Sequence, residues 1–218
     1  PHVSSTAMGA VVVTLCVLAF VVAGLREPGR PESAGPLVFP LRSGRWAVAA
    51  GGVTALNHHL AAPAQSGAVD LVAVRRDGAR AAGICPDHLE AYEAYGREVV
   101  SPCDGVVVAA VDGEPDQVPQ HLRAAAPSGN HVRIASGHGI VHLAHLRRGS
   151  LRVAIGDDVV AGQPLGEVGN SGRSSEPHLH IHAERGGGGL RLRFSDLPRR
   201  RLRPGVTVEV VGSRPNPD

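Results

Sequence analysis

From about Val38 onward, apolar residues come in short runs separated by Gly and Pro. The runs include "RWAVAAGG", "AVDLVAV", "GVVVAAV", "NHVRIA", "GIVHLAHL", "LRVAIG", "PLGEVG", "HLHIHAE" and "VTVEVVG". Several alternate with period two, the spacing that puts every second side chain on the same face of a strand. Long stretches of period 3.6 are absent, and residues 86–97 offer at most one short helical turn. The pattern predicts an all-β domain over residues 38–218, an antiparallel, sandwich-like sheet built from hairpins. The plainest alternation is "HLHIHAE": His178, His180 and His182 fall on one face, and Leu179, Ile181 and Ala183 fall on the other.

The N-terminal part reads differently. Ala7 to Leu25 is nineteen residues without a charge. As a helix it would be roughly 28 Å long, against about 30 Å for a bilayer core. It is expected to be a transmembrane anchor, with a cleaved signal as the alternative. Residues 26–37, rich in Pro, Gly and charge, read as a linker. Arg26 and Arg30 behind the apolar segment would by themselves put the bulk of the chain in the cytoplasm.

Composition narrows the chemistry. Net charge is only +2 and aromatic residues are 3%, which argues against nucleic acid as a partner. All 22 basic residues are Arg. Without Lys there is no Schiff base and no P-loop lysine. A lipoyl- or biotinyl-carrier reading of the hairpin-like "GDDVVAGQPLGEV" fails for the same reason. Cys85 and Cys103, eighteen positions apart, read equally well as one disulfide or as two buried free thiols. The "RRRLR" cluster at 199–203 reads as a solvated turn. Of the twelve histidines, His2, His88, His121 and His138 have no suggestive spacing and are read as structural or exposed.

Some of the others could hold a metal. Catalytic zinc takes three protein ligands drawn from His, Cys, Asp and Glu, and keeps one position open. The strand pair His178 and His180 is one source; His58 or His59 with Asp70 is another; His145 is a third. Each lies at the junction of a turn and a β run.

Five segments, in the same order along the chain as in that family, resemble the lysostaphin/LytM-type zinc endopeptidases, a peptidoglycan-directed family with a duplicated-hybrid-motif fold. "VGNSGRSSEPHLHIHAE" resembles their G-x-[ST]-G-x-[ST]-x-x-P-H-L-H signature, and "IGDDVVAGQPLGEVGNSG" is similar to the run leading into it. "GIVHLAHL" is similar to their tyrosine-bearing His-Leu segment, with Leu143 at the tyrosine position. "SPCDGVVVAAVDG" resembles an upstream strand. "GGVTALNHHLAAPAQSGAVDL" is like a subgroup with N-x-H and an Asp eleven residues later, where more usual members have four. The resemblance spans roughly residues 46–197.

It implies one zinc ion held by His59, Asp70 and His180, in a groove of the sheet, with His145 and His178 as catalytic imidazoles. His59 is preferred to His58 because it aligns with the histidine of N-x-H. Two neutral imidazoles and one carboxylate leave zinc with a net charge of about +1, so that a metal-activated water can form near neutral pH. The implied activity is hydrolysis of peptide bonds in bacterial peptidoglycan. The alternative is an inactive relative that serves as a wall-binding or activator module. Peptidoglycan peptides are then the partner, along with the membrane through the N-terminal helix. The domain is expected outside the cytoplasmic membrane, against the signal from Arg26 and Arg30. His182 stands where the family often has Glu or another polar residue; it is read as a strand-surface histidine, with a partner to a ligand and a spare ligand as alternatives. Asn130 matches a family Gly-Asn turn and is read as structural.

Overall fold

The computed structural model describes residues 32–51, 58–121, 126–197 and 202–210. They form twelve strands: β1 (Ser33–Leu37), β2 (Gly44–Gly51), β3 (Val69–Ala73), β4 (Glu98–Val100), β5 (Gly105–Val111), β6 (Asn130–Ser136), β7 (Gly139–Leu146), β8 (Asp158–Val159), β9 (Pro164–Glu167), β10 (Leu179–Arg185), β11 (Gly188–Phe194) and β12 (Thr207–Val210). The described helical elements are three short 3₁₀ turns, His58–Ala61, Pro63–Gln65 and Leu89–Ala91. The last falls inside the stretch where a helical turn was expected.

One ten-stranded sheet runs in the order β12-β2-β3-β10-β7-β6-β5-β8, with β11 beside β10 and β1 beside β11. β4 and β9 form a separate pair. Every pairing is antiparallel except that of β1 with β11. β10 is the hinge of this arrangement. Leu179–Ile181 pair with β3, Ala183–Arg185 pair with β11, and the other edge pairs with β7. Its core face carries Leu179, Ile181 and Ala183, all fully buried, against Leu71, Val141, Leu143, Val132 and Ile134 from neighbouring strands. Trp46, Phe39 and Phe194 extend the core, the last two meeting edge to face at 5.2 Å.

The sheet begins earlier than the composition suggests. Ser33–Leu37, expected to be the end of a linker, form β1 along β11. Ala34 and Leu37 are fully buried, and the Asp196 carboxylate accepts the Phe39 N–H. The Gly35-Pro36 pair that looked like linker sits instead where the strand register shifts. The apolar segment 7–25 and Arg199–Arg201 lie outside the described residues. Among the described residues no helix is long and apolar enough to cross a membrane. Cys85 and Cys103 are both free: Cys85 is exposed on a loop and Cys103 is buried beside the core, so they do not pair.

β7 holds the irregularity that matters most for the site. In strict alternation His145 would share the core face with Val141 and Leu143. Between β6 and β7, however, His131 pairs with Ala144 and Asn130 with Leu146, leaving His145 as an extra residue. It has φ +63, a conformation that is unfavourable for a residue with a side chain. The bulge returns Leu146 to the core and releases His145 to the polar face, the re-aiming that bulges provide near functional sites. Asn130 braces it from within. Fully buried, its amide donates to the Glu114 and Leu146 carbonyls and accepts the Glu114 N–H. That agrees with its structural reading.

Candidate metal centre

His180 and Asp70 stand directly opposite each other across β10 and β3. Their side chains meet on the polar face, His180 Nδ1 lying 2.8 Å from Asp70 Oδ1. His59 arrives from the 3₁₀ turn before β3, closed by a bond from the Ala62 N–H to the His59 carbonyl. Its Nε2 lies 2.9 Å from the other carboxylate oxygen, Asp70 Oδ2. Each oxygen of Asp70 thus faces one imidazole. The three ligand atoms lie within 4.8 Å of one another, and all three residues are buried.

Burial alone would raise the Asp70 carboxyl, but the hydrogen bonds from His180 and His59 and the charge of nearby His178 hold it well below the usual carboxylate range. Burial lowers His180, so its imidazole favours the neutral form that can offer a lone pair. Two imidazole nitrogens and one carboxylate oxygen, close together and withdrawn from water, form a donor set that fits zinc with a position left open.

His145 and His178 stand beside this cluster, their ring centroids 4.8 Å apart. His145 Nδ1 donates to the Ser171 carbonyl at 2.9 Å. His178 Nδ1 donates to the Glu176 carbonyl at 2.8 Å, with Ser174 Oγ 3.0 Å away. Both rings are therefore fixed with the proton on Nδ1, and Nε2 is left as the available nitrogen. For His178 that atom lies 3.8 Å from Asp70 Oδ1. Burial, together with neighbouring His178 and His180, holds His145 well below the ordinary histidine range. His145 thus favours the neutral form, with Nε2 unprotonated.

A groove of about 550 Å³ contains all five residues. Gln65, Pro127, Ser128 and the exposed Arg173 complete its walls. The structure therefore brings together every predicted site residue: His59, Asp70, His145, His178 and His180. The side chain of His58 lies outside the described residues. His88 and His121 are exposed and His138 is partly buried, and none of the three lines the groove.

His182 is not the strand-surface histidine expected. It is 5% exposed, with Nδ1 2.9 Å from His180 Nε2. Its ring stacks on His142, directly across the strand pair, at 4.2 Å. Burial pushes His182 down to about 2 and His142 to about 3. His142 had no motif to mark it. Its only signal in the sequence is a polar position alternating with Val141 and Leu143.

Residues 89–191 match the sequence model of Peptidase family M23. The matched stretch includes His145, His178 and His180 and starts after His59 and Asp70. No curated protein matches the chain. Among solved structures it is similar to a putative peptidase M23 from Pseudomonas aeruginosa, at 16% identity and TM-score 0.43, over 83% of this chain and 58% of that one. It is similar to the catalytic domain of a mutant prophage-encoded M23 protein, EnpA, from Enterococcus faecalis, at 20% identity and TM-score 0.40, over 74% and 93%. The catalytic domain of the antimicrobial peptidase lysostaphin from Staphylococcus simulans is similar at 18% identity and TM-score 0.39, over 68% and 88%. The family match covers a little under half of the chain, and residues 89–191, with the signature segment, are thus similar to peptidase family M23.

Proposed function

We propose that the chain is a zinc-dependent endopeptidase that hydrolyses peptide bonds in bacterial peptidoglycan. One observation carries this reading: a buried three-donor cluster and two imidazoles, both locked as Nδ1–H tautomers, share a single groove. Zinc held by His59, Asp70 and His180 would supply Lewis acidity toward water and toward a peptide carbonyl. The remaining work falls to the chain's own residues. His145 is neutral and anchored on Ser171, so its Nε2 takes up the proton lost by the attacking water. His178 is held by Glu176 with Nε2 beside the cluster; once protonated, that nitrogen donates to the carbonyl oxygen as it gains charge, or to the departing amine. The burial of Asp70, His59 and His180 excludes bulk water and strengthens each of these interactions.

Such a substrate would require the domain to lie on the outer side of the cytoplasmic membrane, with residues 7–25 as an anchor or a cleaved signal. A C-terminal reporter active only in the cytoplasm would overturn that topology.

The central test pairs zinc content with release of wall peptides, for wild type and His180→Ala. Wild type is expected to hold about one zinc and release peptides; the variant should do neither. Release by the variant at the wild-type rate would refute the assignment. Zinc without release from wild type would identify a wall-binding module.

A further inference from the structure

Two rows of side chains cross the polar face of the sheet. The first runs through His131, Ala144, His180 and Asp70, which are register partners on β6, β7, β10 and β3. The second, two residues further along, runs through Arg133, His142 and His182. The first row carries two of the three candidate ligands. The proposed reaction makes no use of the second.

The rows meet where His180 Nε2 lies 2.9 Å from His182 Nδ1. His180 turns its other nitrogen, Nδ1, toward Asp70. A neutral imidazole that offers Nδ1 to a metal carries its one proton on Nε2. His180 is buried, so that N–H needs an acceptor within the protein. His182 Nδ1 is placed to be that acceptor. His182 is held in turn by its stack on His142. The His142 Nε2 atom faces Glu184 Oε1 at 3.4 Å, and Arg133 Nη2 donates to the same oxygen at 3.1 Å.

We propose that His182 is a positioning residue for the metal centre: by accepting the Nε2–H of His180 it fixes the tautomer and ring angle that present Nδ1 to the metal, with His142 and Glu184 holding it from behind. This rests on the metal-site reading above. Without the acceptor, the His180 proton is better placed on Nδ1, facing the Asp70 carboxylate, where it blocks coordination. Loss of a partner that orients a metal-ligating histidine weakens metal binding about 10- to 100-fold.

The test measures zinc affinity by chelator competition, and the visible spectrum of the cobalt-substituted protein, for wild type, His182→Asn, His182→Gln and His182→Leu. Asn places an amide oxygen where Nδ1 stands; Gln places it one atom further out; Leu removes it. His182→Asn is expected to stay within about threefold of wild type with the same cobalt spectrum. The Gln and Leu variants should lose about 10- to 100-fold in affinity and shift the spectrum. Melting of the metal-free proteins separates this from loss of fold, and if Leu does not fold, the Asn and Gln pair decides. Equal affinity and spectra in Asn and Gln would overturn the role of His182 and leave the metal site standing. A wild-type chain that takes up neither zinc nor cobalt would overturn both.

Discussion

His145 donates from Nδ1 to the Ser171 carbonyl, 26 positions further along the chain, at 2.9 Å, from a backbone held at φ +63. Bulge and carbonyl act together: one turns the ring to the groove, the other selects which nitrogen is left to react. If that nitrogen is the proton acceptor, His145→Ala is expected to lower kcat by about 10²- to 10⁴-fold. Zinc content should not change, since His145 is outside the donor set. Steady-state kinetics with metal analysis checks both, and a kcat within threefold of wild type would remove His145 from the mechanism.

The carbonyl that orients His145 depends on a close approach of two glycines. A Cβ on Gly172, at φ +74, would lie 2.3 Å from the Gly129 nitrogen. Gly172→Ala must therefore shift the loop that carries Ser171. It is expected to destabilise the fold by about 1–3 kcal/mol through the backbone conformation alone, and to lower kcat more than KM. Thermal melts and kinetics on one preparation measure the two effects, and an unchanged kcat would show that the loop tolerates the movement.

Asn130 tests the bulge itself. Replacing it with Ala leaves the partly buried Glu114 N–H without a side-chain partner and removes one of two side-chain donors to the Leu146 carbonyl, the other being Ser171 Oγ. Stability should fall by about 1–3 kcal/mol. Urea denaturation gives the value, and a loss below about 0.5 kcal/mol would mean that water or backbone replaces the amide.

Acid should destabilise the metal-free chain in a definite window. His142 is lowered by burial, then by Arg133, to about 3; His182 is lowered by burial, then by His180, to about 2. Both are depressed relative to the unfolded chain, where a histidine titrates near about 6.5. The unfolded state therefore binds protons from that pH downward while the folded state does not. Stability should be fully present above about pH 6.5 and decline toward about pH 3, by up to about 1.4 kcal/mol per pH unit for each histidine. Urea midpoints between pH 7 and pH 4 measure the slope. His142→Phe, which keeps a ring on His182, should lower the slope by one proton; an unchanged slope would show that His142 is protonated in the folded state.

Much of the site was legible. Period two in residues 178–183 marked a strand with a histidine face and an apolar face, and β10 has both. Alternation also led to the wrong environment for His182. It says that a side chain leaves the core face, not whether something covers the other face. The turns at 58–65 pack near β10, and His142 stacks on His182, so that face is buried as well. The bulge at His145 was hidden for a related reason. An extra residue breaks the period of one strand only relative to its partner, and register is a property of the pair. At the N-terminal edge Gly and Pro suggested a linker. The burial of Ala34 and Leu37 against β11 outweighed local preference there.

Asp70 and His180 face each other in the folded sheet but are 110 residues apart in the chain. A ribosome that has released β3 has delivered two of the three donors and must still make β4 to β9 before the third emerges. Until then His59 and Asp70 lack the strand that completes their site, and pairing so distant in sequence is slow to form. On the metal-site reading proposed above, metal uptake must wait for β10. A chain interrupted before β10 cannot form the three-donor site at all.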